Sequence, residues 1–173
     1  MRRTIEALNQ SGLRYALTGG IAASYYGRPR TTLDVDVLVV AKESELRRLA
    51  RSLADVDIKA GTRELSHAWR SRYRIVTALD SKSPHRLDII FTEQGLERRA
   101  GPILGIRTYY QTAESLILSK LRMIKATLQP ERAAIDKLDI EAILKAANVN
   151  LVSLRRRARA QGTLRLLDEL IQD

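Results

Sequence analysis

The sequence predicts a mixed α/β fold followed by a helical bundle, on three observations. Leu33 to Val40 is a valine-rich run too short and too β-branched for a helix. Two further β-rich runs, Tyr73 to Leu79 and Arg86 to Phe91, flank the turn Asp80-Ser81-Lys82-Ser83-Pro84 and read as paired strands. From Thr112 onward the apolar residues recur at helical spacing and no β-rich run returns. The expected division is an α/β core over 1–110 and a helical region over 111–173 packed on it.

The elements follow in order. Arg2 to Gln10 reads as a short amphipathic helix, and Tyr15 to Thr18 as a strand ending at Gly19-Gly20. Ile21 to Tyr26 adds a turn or two of helix, which Gly27-Arg28-Pro29-Arg30 ends, because proline and the residue before it resist helix. Leu33 to Val40 is expected to be a strand buried except for its two aspartates. Lys42 to Ala54 places Leu46, Leu49 and Leu53 on one helical face. Val56 to Ala60 and Ile103 to Thr108 are strand candidates. Ala113 to Thr127 is a long helix with Thr112 at its cap position, and Pro130 sits near the start of a helix over Glu131 to Ala147. Leu151 to Ile171 is one or two helices broken near Gly162.

Composition narrows the chemistry. The chain has 173 residues and no cysteine, which excludes disulfides and thiolate metal sites. His67 and His85 share no metal-ligand spacing. No apolar run approaches the roughly 18 residues of a membrane span, and the charged N-terminus lacks the apolar stretch of a signal peptide, so a cytoplasmic protein without membrane contact is expected. The net charge of +10 favours phosphate-rich partners.

The chemistry concentrates in Asp34-Val35-Asp36. Side chains alternate along a strand, so both aspartates point to one face. Two adjacent carboxylates repel, and sharing a divalent cation keeps both ionised. Mg²⁺ favours one or two carboxylates completed by water and substrate phosphates, which points to phosphoryl or nucleotidyl transfer. Gly19 and Gly20 let the backbone approach a phosphate closely, and their amides open the following helix. A tight strand-to-helix turn would also want a glycine.

Gly19-Gly20, thirteen intervening residues, Asp34-x-Asp36, and then a lone aspartate in a later strand, Leu87-Asp88-Ile89, resemble the nucleotidyltransferase superfamily with the polymerase-beta-like fold. The wording GGIAASYYGRPRTTLDVDVLV is similar to the abortive-infection type IV toxin and minimal nucleotidyltransferase-like proteins. The C-terminal half agrees: Ser115 to Leu121 around Lys120, then Arg132, then Asp136-Lys-Leu-Asp139 look like those proteins' lysine and aspartate helices.

The resemblance implies a mixed sheet flanked by helices and a Mg²⁺- or Mn²⁺-dependent transfer of a nucleoside monophosphate from an NTP to an acceptor hydroxyl. Asp34, Asp36 and Asp88 are the implied metal-binding and catalytic residues. Gly19, Gly20, Arg28, Arg30, Thr32, Lys120 and Asp136 are the implied nucleotide contacts. The implied acceptor is a tRNA or a protein, in the setting of a toxin with its antitoxin protein. A small-molecule nucleotidyltransferase and a non-catalytic nucleotide- or partner-binding module are the alternatives. For single residues a plainer reading competes: Thr32 caps a strand, Lys120 snorkels from an apolar face, and Asp136 and Asp139 pair with Lys120 or Arg132. Arg155, Arg156, Arg157 and Arg159 are either a nucleic-acid contact or a solvated helix face.

Overall fold

The computed structural model describes residues 1–92 and 95–172. The chain divides into two compact units: residues 1–21 with 31–111, and residues 22–30 with 112–173.

The first unit is a seven-stranded mixed sheet with helices. Its strands are β1 (Arg14–Leu17), β2 (Asp34–Val40), β3 (Ile58–Lys59), β4 (Ile75–Asp80), β5 (Arg86–Thr92), β6 (Arg98–Ile103) and β7 (Ile106–Gln111), in the order β3-β4-β5-β2-β1-β7-β6. The central pair β2–β5 is parallel, as is β1–β7, and the other neighbours are antiparallel. One face of β2 and β5 is fully apolar, with Val35, Val37, Val39, Leu87, Ile89 and Phe91 almost wholly buried. Helices α1 (Arg2–Gln10), α3 (Leu46–Ala54) and α4 (Thr62–Arg70) bury Ile5, Leu8, Leu46, Leu49, Leu53 and Leu65. Helix α1 packs on α3, and α3 on α4. Burial of this apolar set supplies most of the unit's folding drive, at about 25 cal/mol per Å².

The opposite face of the same strands is open. Leu38 and Val40 are half-buried and Leu33 is exposed, so the expectation of a strand buried except for its aspartates is wrong. The strand alternates buried and accessible residues because the core lies on one side of it only.

Three local readings also change. Helix α4 was not expected: polar residues break its apolar pattern, yet Leu65 and Ala68 sit one turn apart and the Glu64 carboxylate caps the Gly61 amide at 3.0 Å. The strand expected at Ile103 to Thr108 is a hairpin, β6–β7. Leu104 and Gly105 both take positive φ at its tip, as a two-residue turn requires. The helix expected from Lys42 begins as a 3₁₀ turn over Glu43–Glu45.

The second unit contains α5 (Ala113–Ala126), α6 (Pro130–Ala146), α7 (Leu151–Ala160) and α8 (Leu164–Gln172). Thr112 occupies the cap position of α5 without a capping side-chain hydrogen bond, whereas Asn150 caps α7 through the Ser153 amide at 2.9 Å. Gly162 ends the α7 turn at φ +66°, a conformation that favours glycine. Helix α2 (Gly19–Tyr26) begins in the first unit and ends in the second.

Candidate functional site

The open face of the first unit's sheet gathers the three aspartates. In the parallel register Asp36 lies opposite Asp88 and Asp34 opposite Arg86. Residues at paired register positions point the same way, so Asp34, Asp36 and Asp88 share one face of two adjacent strands. Asp34 is exposed, and Asp36 and Asp88 are half-buried. β4 continues the row, because Thr77 pairs with Asp88. The Thr77 hydroxyl donates to Asp88 Oδ1 at 2.6 Å, which fixes that carboxylate's rotamer and leaves Oδ2 outside the bond.

The turn from β1 into α2 meets the same row. The Thr18 amide donates to the Asp36 carbonyl at 2.9 Å, and the Thr18 hydroxyl donates to Gln111 Oε1 at 2.6 Å. Gly19 follows at φ +58°, and a Cβ there would overlap the Asp36 carboxylate, with Cγ only 2.8 Å away. Two independent requirements, the left-handed backbone and the absent Cβ, therefore select glycine at this position. Gly20 is the second residue of α2. The Thr32 hydroxyl donates to the Asp34 carbonyl at 3.2 Å and accepts from the Asp34 amide at 3.3 Å, shaping the entry to β2.

Oxygen-only carboxylates on one face suit a hard cation such as Mg²⁺ or Mn²⁺, and the absent Cβ of Gly19 lets the Asp36 carboxylate pack directly against the turn into α2. Among the described residues no three acidic or histidine side chains are drawn together as a ready-made metal cluster. Fit is thus carried by residue type and shared face, with part of the coordination left to ligand and water.

The remaining expected residues lie in the second unit and are bonded to one another. Lys120 is buried on α5. Its ammonium pairs with Asp136 Oδ1 at 2.6 Å and Asp139 Oδ2 at 2.7 Å. The snorkelling alternative for Lys120 is therefore wrong, because two carboxylates on the facing helix compensate its burial. Asp139 is fully buried and also receives Arg28 Nη1 and, at 3.4 Å, Arg30 Nη2. Burial pushes the Asp139 carboxyl up, but hydrogen bonds from Lys120 and Arg28 and the charges of Lys120 and Arg30 outweigh it and hold the group below its ordinary value. Three cations thus share one carboxylate, and Arg30 Nε is buried without a hydrogen bond among the described residues.

On α7 the four arginines differ. Arg155 pairs with Asp168 at 2.9 Å and Arg157 donates to the Ser115 hydroxyl at 3.1 Å, whereas Arg156 and Arg159 are exposed without an ion pair among the described residues. Three contributors escaped the sequence reading: Thr77, Arg86 and the hub role of Asp139. Hairpin symmetry about the 80–85 turn was the available signal for Thr77, and the three-residue spacing from Asp136 was the signal for Asp139.

No family model matches the chain, and no curated protein matches it. Solved structures do. An antigenic nucleotidyltransferase-like protein from Paracoccidioides brasiliensis superposes with a TM-score of 0.56 at 15% identity, over 84% of this chain and 76% of that one. The antibiotic-resistance factor ANT(2'')-Ia in solution superposes with a TM-score of 0.62 at 16% identity, over 92% and 89%. ANT(2'')-Ia in complex with adenylyl-2''-tobramycin gives 0.62 at 13% identity, over 92% and 95%. These likenesses, together with the mixed sheet described above, show that this chain has the nucleotidyltransferase-like fold.

Proposed function

We propose that this chain is a Mg²⁺-dependent nucleotidyltransferase that moves a nucleoside monophosphate from an NTP to an acceptor hydroxyl. The observation that supports it most is the shared face of Asp34, Asp36 and Asp88 on adjacent strands, with the Asp36 carboxylate packed against the Gly19 turn.

Asp34, Asp36 and Asp88 would hold Mg²⁺ or Mn²⁺, which when bound neutralises phosphate charge and orients the triphosphate. Gly19 and Gly20 admit the triphosphate close to the backbone. The acceptor oxygen attacks the α-phosphorus, the bond to the bridging oxygen breaks, and pyrophosphate leaves. Asp88 Oδ2, outside the Thr77 bond, would take the acceptor's proton. Arg28 and Arg30 are proposed as phosphate-side cations on their charge and partial exposure. Lys120 and Asp136 are proposed as positioning residues, since they anchor Asp139 and through it both arginines.

The acceptor in this reading is a nucleic-acid or protein hydroxyl, and the setting a toxin held by an antitoxin. The second reading, a small-molecule acceptor, is favoured by ANT(2'')-Ia, whose structure holds an adenylylated aminoglycoside. Thermal unfolding with each NTP and Mg²⁺ tests the shared core. One NTP is expected to raise the Tm of the parent and not of Asp36→Asn. An equal shift in both proteins would place the nucleotide elsewhere. Total RNA, lysate protein and aminoglycosides offered as acceptors then separate the two readings.

A further inference from the structure

The outer edge of β4 is open beside the carboxylate row. Phe91 N donates to Arg74 O at 2.7 Å and Asp80 N to His85 O at 3.4 Å, both in the β4–β5 register. Even-numbered residues of β4 therefore bond to β5. Because hydrogen-bonded pairs alternate along an antiparallel ladder, Ile75, Thr77 and Leu79 turn their amides and carbonyls outward. β3 meets only Leu79 and Asp80, and it is two residues long. Ile75 and Thr77 consequently have no ladder partner on that side among the described residues.

The side chains along this edge are also accessible. Ile75 is 46% exposed and Leu79 is 56% exposed, Thr77 between them is exposed, and Tyr73 just before the strand is 80% exposed. Proteins usually blunt such an edge with a lysine, a proline or a bulge, and Ile75 to Leu79 contains no lysine or proline and keeps an unbroken register. Exposed cations surround it. Arg72 precedes the edge, Lys59 pairs across from Leu79 on β3, and Arg86 pairs across from Leu79 on β5. None of the three has a carboxylate partner among the described residues.

The geometry points to β4 as a docking edge for an extended segment of a partner protein, alternating in apolar residues and acidic at its ends. Outward amides and carbonyls of Ile75 and Thr77 extend the sheet by one strand, the exposed Ile75 and Leu79 meet its apolar residues, and the cations receive its acidic ends. A second copy of this chain fits less well, since it would set the same cations against each other. The docked strand would lie one strand beyond Thr77 and two from Asp88, about 10 Å away at 4.7–4.9 Å per strand.

The test uses the whole chain and the peptide Glu-Thr-Val-Thr-Val-Glu, with amide hydrogen exchange and binding isotherms. In the free protein the Ile75 and Thr77 amides should exchange far faster than those of Val76 and Ala78. Peptide binding should protect those two amides selectively. Thr77→Pro removes an outward N–H and the hydroxyl that bonds Asp88 but none of the β4–β5 ladder bonds of Val76 and Ala78, and binding should weaken at least tenfold. Ile75→Lys, which leaves every backbone group in place, should weaken it as well and guards against a folding defect. No binding, or binding without protection at Ile75 and Thr77, overturns the proposal. Concentration-dependent protection of the same amides without peptide also overturns it, since the occupant would then be a second copy.

Discussion

Asp139→Ala removes the one carboxylate that Lys120, Arg28 and Arg30 share. Taking one partner from a buried ion pair costs about 3–5 kcal/mol, because the other charge is left buried. Two features place this site at the low end. Lys120 keeps Asp136 at 2.6 Å, and Arg28 and Arg30 are 26% and 29% exposed, so water takes over part of their solvation. The expected loss is about 3 kcal/mol, which at about 2–4 °C per kcal/mol for a chain of this size lowers the Tm by about 6–12 °C. Asp139→Asn fills the same volume but turns a donor toward the cations, and should cost about 2 kcal/mol. In the Asp139→Ala background, Lys120→Met should cost much less than it does alone, because the residues share one network. Urea unfolding of the four proteins gives the numbers. A loss under about 0.5 kcal/mol for Asp139→Ala, or single effects that simply add, would refute the hub.

Gly19→Ala sets a Cβ into the Asp36 carboxylate at a backbone angle unfavourable to alanine. It should cost about 1–3 kcal/mol and abolish any nucleotide-induced rise in Tm, checked by urea unfolding and thermal shift. Acid should destabilise the fold through Asp139 and Asp80, whose carboxyls are both held below the ordinary value: burial raises each, and hydrogen bonds and cations prevail. Their contribution is complete above the unfolded value of about 3.9 and is lost as pH falls through the lower folded values. Urea midpoints should stay level with respect to these two groups from pH 7 to about pH 4 and fall below it, and Asp139→Asn should flatten that acid limb. Replacing Arg156 and Arg159 by glutamine should lower RNA affinity and its salt slope more than replacing Arg155 and Arg157, which are already engaged.

Much of this arrangement was legible in the sequence because it rests on short-range rules. The two-residue spacing in Asp34-Val35-Asp36 fixes a shared face wherever the strand sits, and Pro130 and Gly162 mark helix boundaries by backbone chemistry alone. What escaped depends on partners distant in sequence. The exposure of Leu38 and Val40 follows from which side of the sheet the core occupies. Thr77 meets Asp88 only in one hairpin register, and a slip of one residue would turn Thr77 to the other face. The pairing of Lys120 with Asp136 and Asp139 was one of the readings the sequence offered, but the addition of Arg28 and Arg30 to Asp139 joins residues more than a hundred positions apart. Strand β6 was missed because Arg98-Arg99-Ala100-Gly101-Pro102 lacks β-rich composition and, among the described residues, pairs in the sheet only with β7.

The most direct test of the central claim follows the fate of labelled phosphates. The parent protein, Asp36→Asn and Asp88→Asn are incubated with Mg²⁺, cell lysate or aminoglycosides, and the preferred NTP labelled at either the α- or the γ-phosphorus. The account predicts that α-label enters an acceptor in the parent only, with γ-label released as pyrophosphate in equal amount. Transfer of γ-label to the acceptor, or α-label incorporation that survives both substitutions, would contradict it.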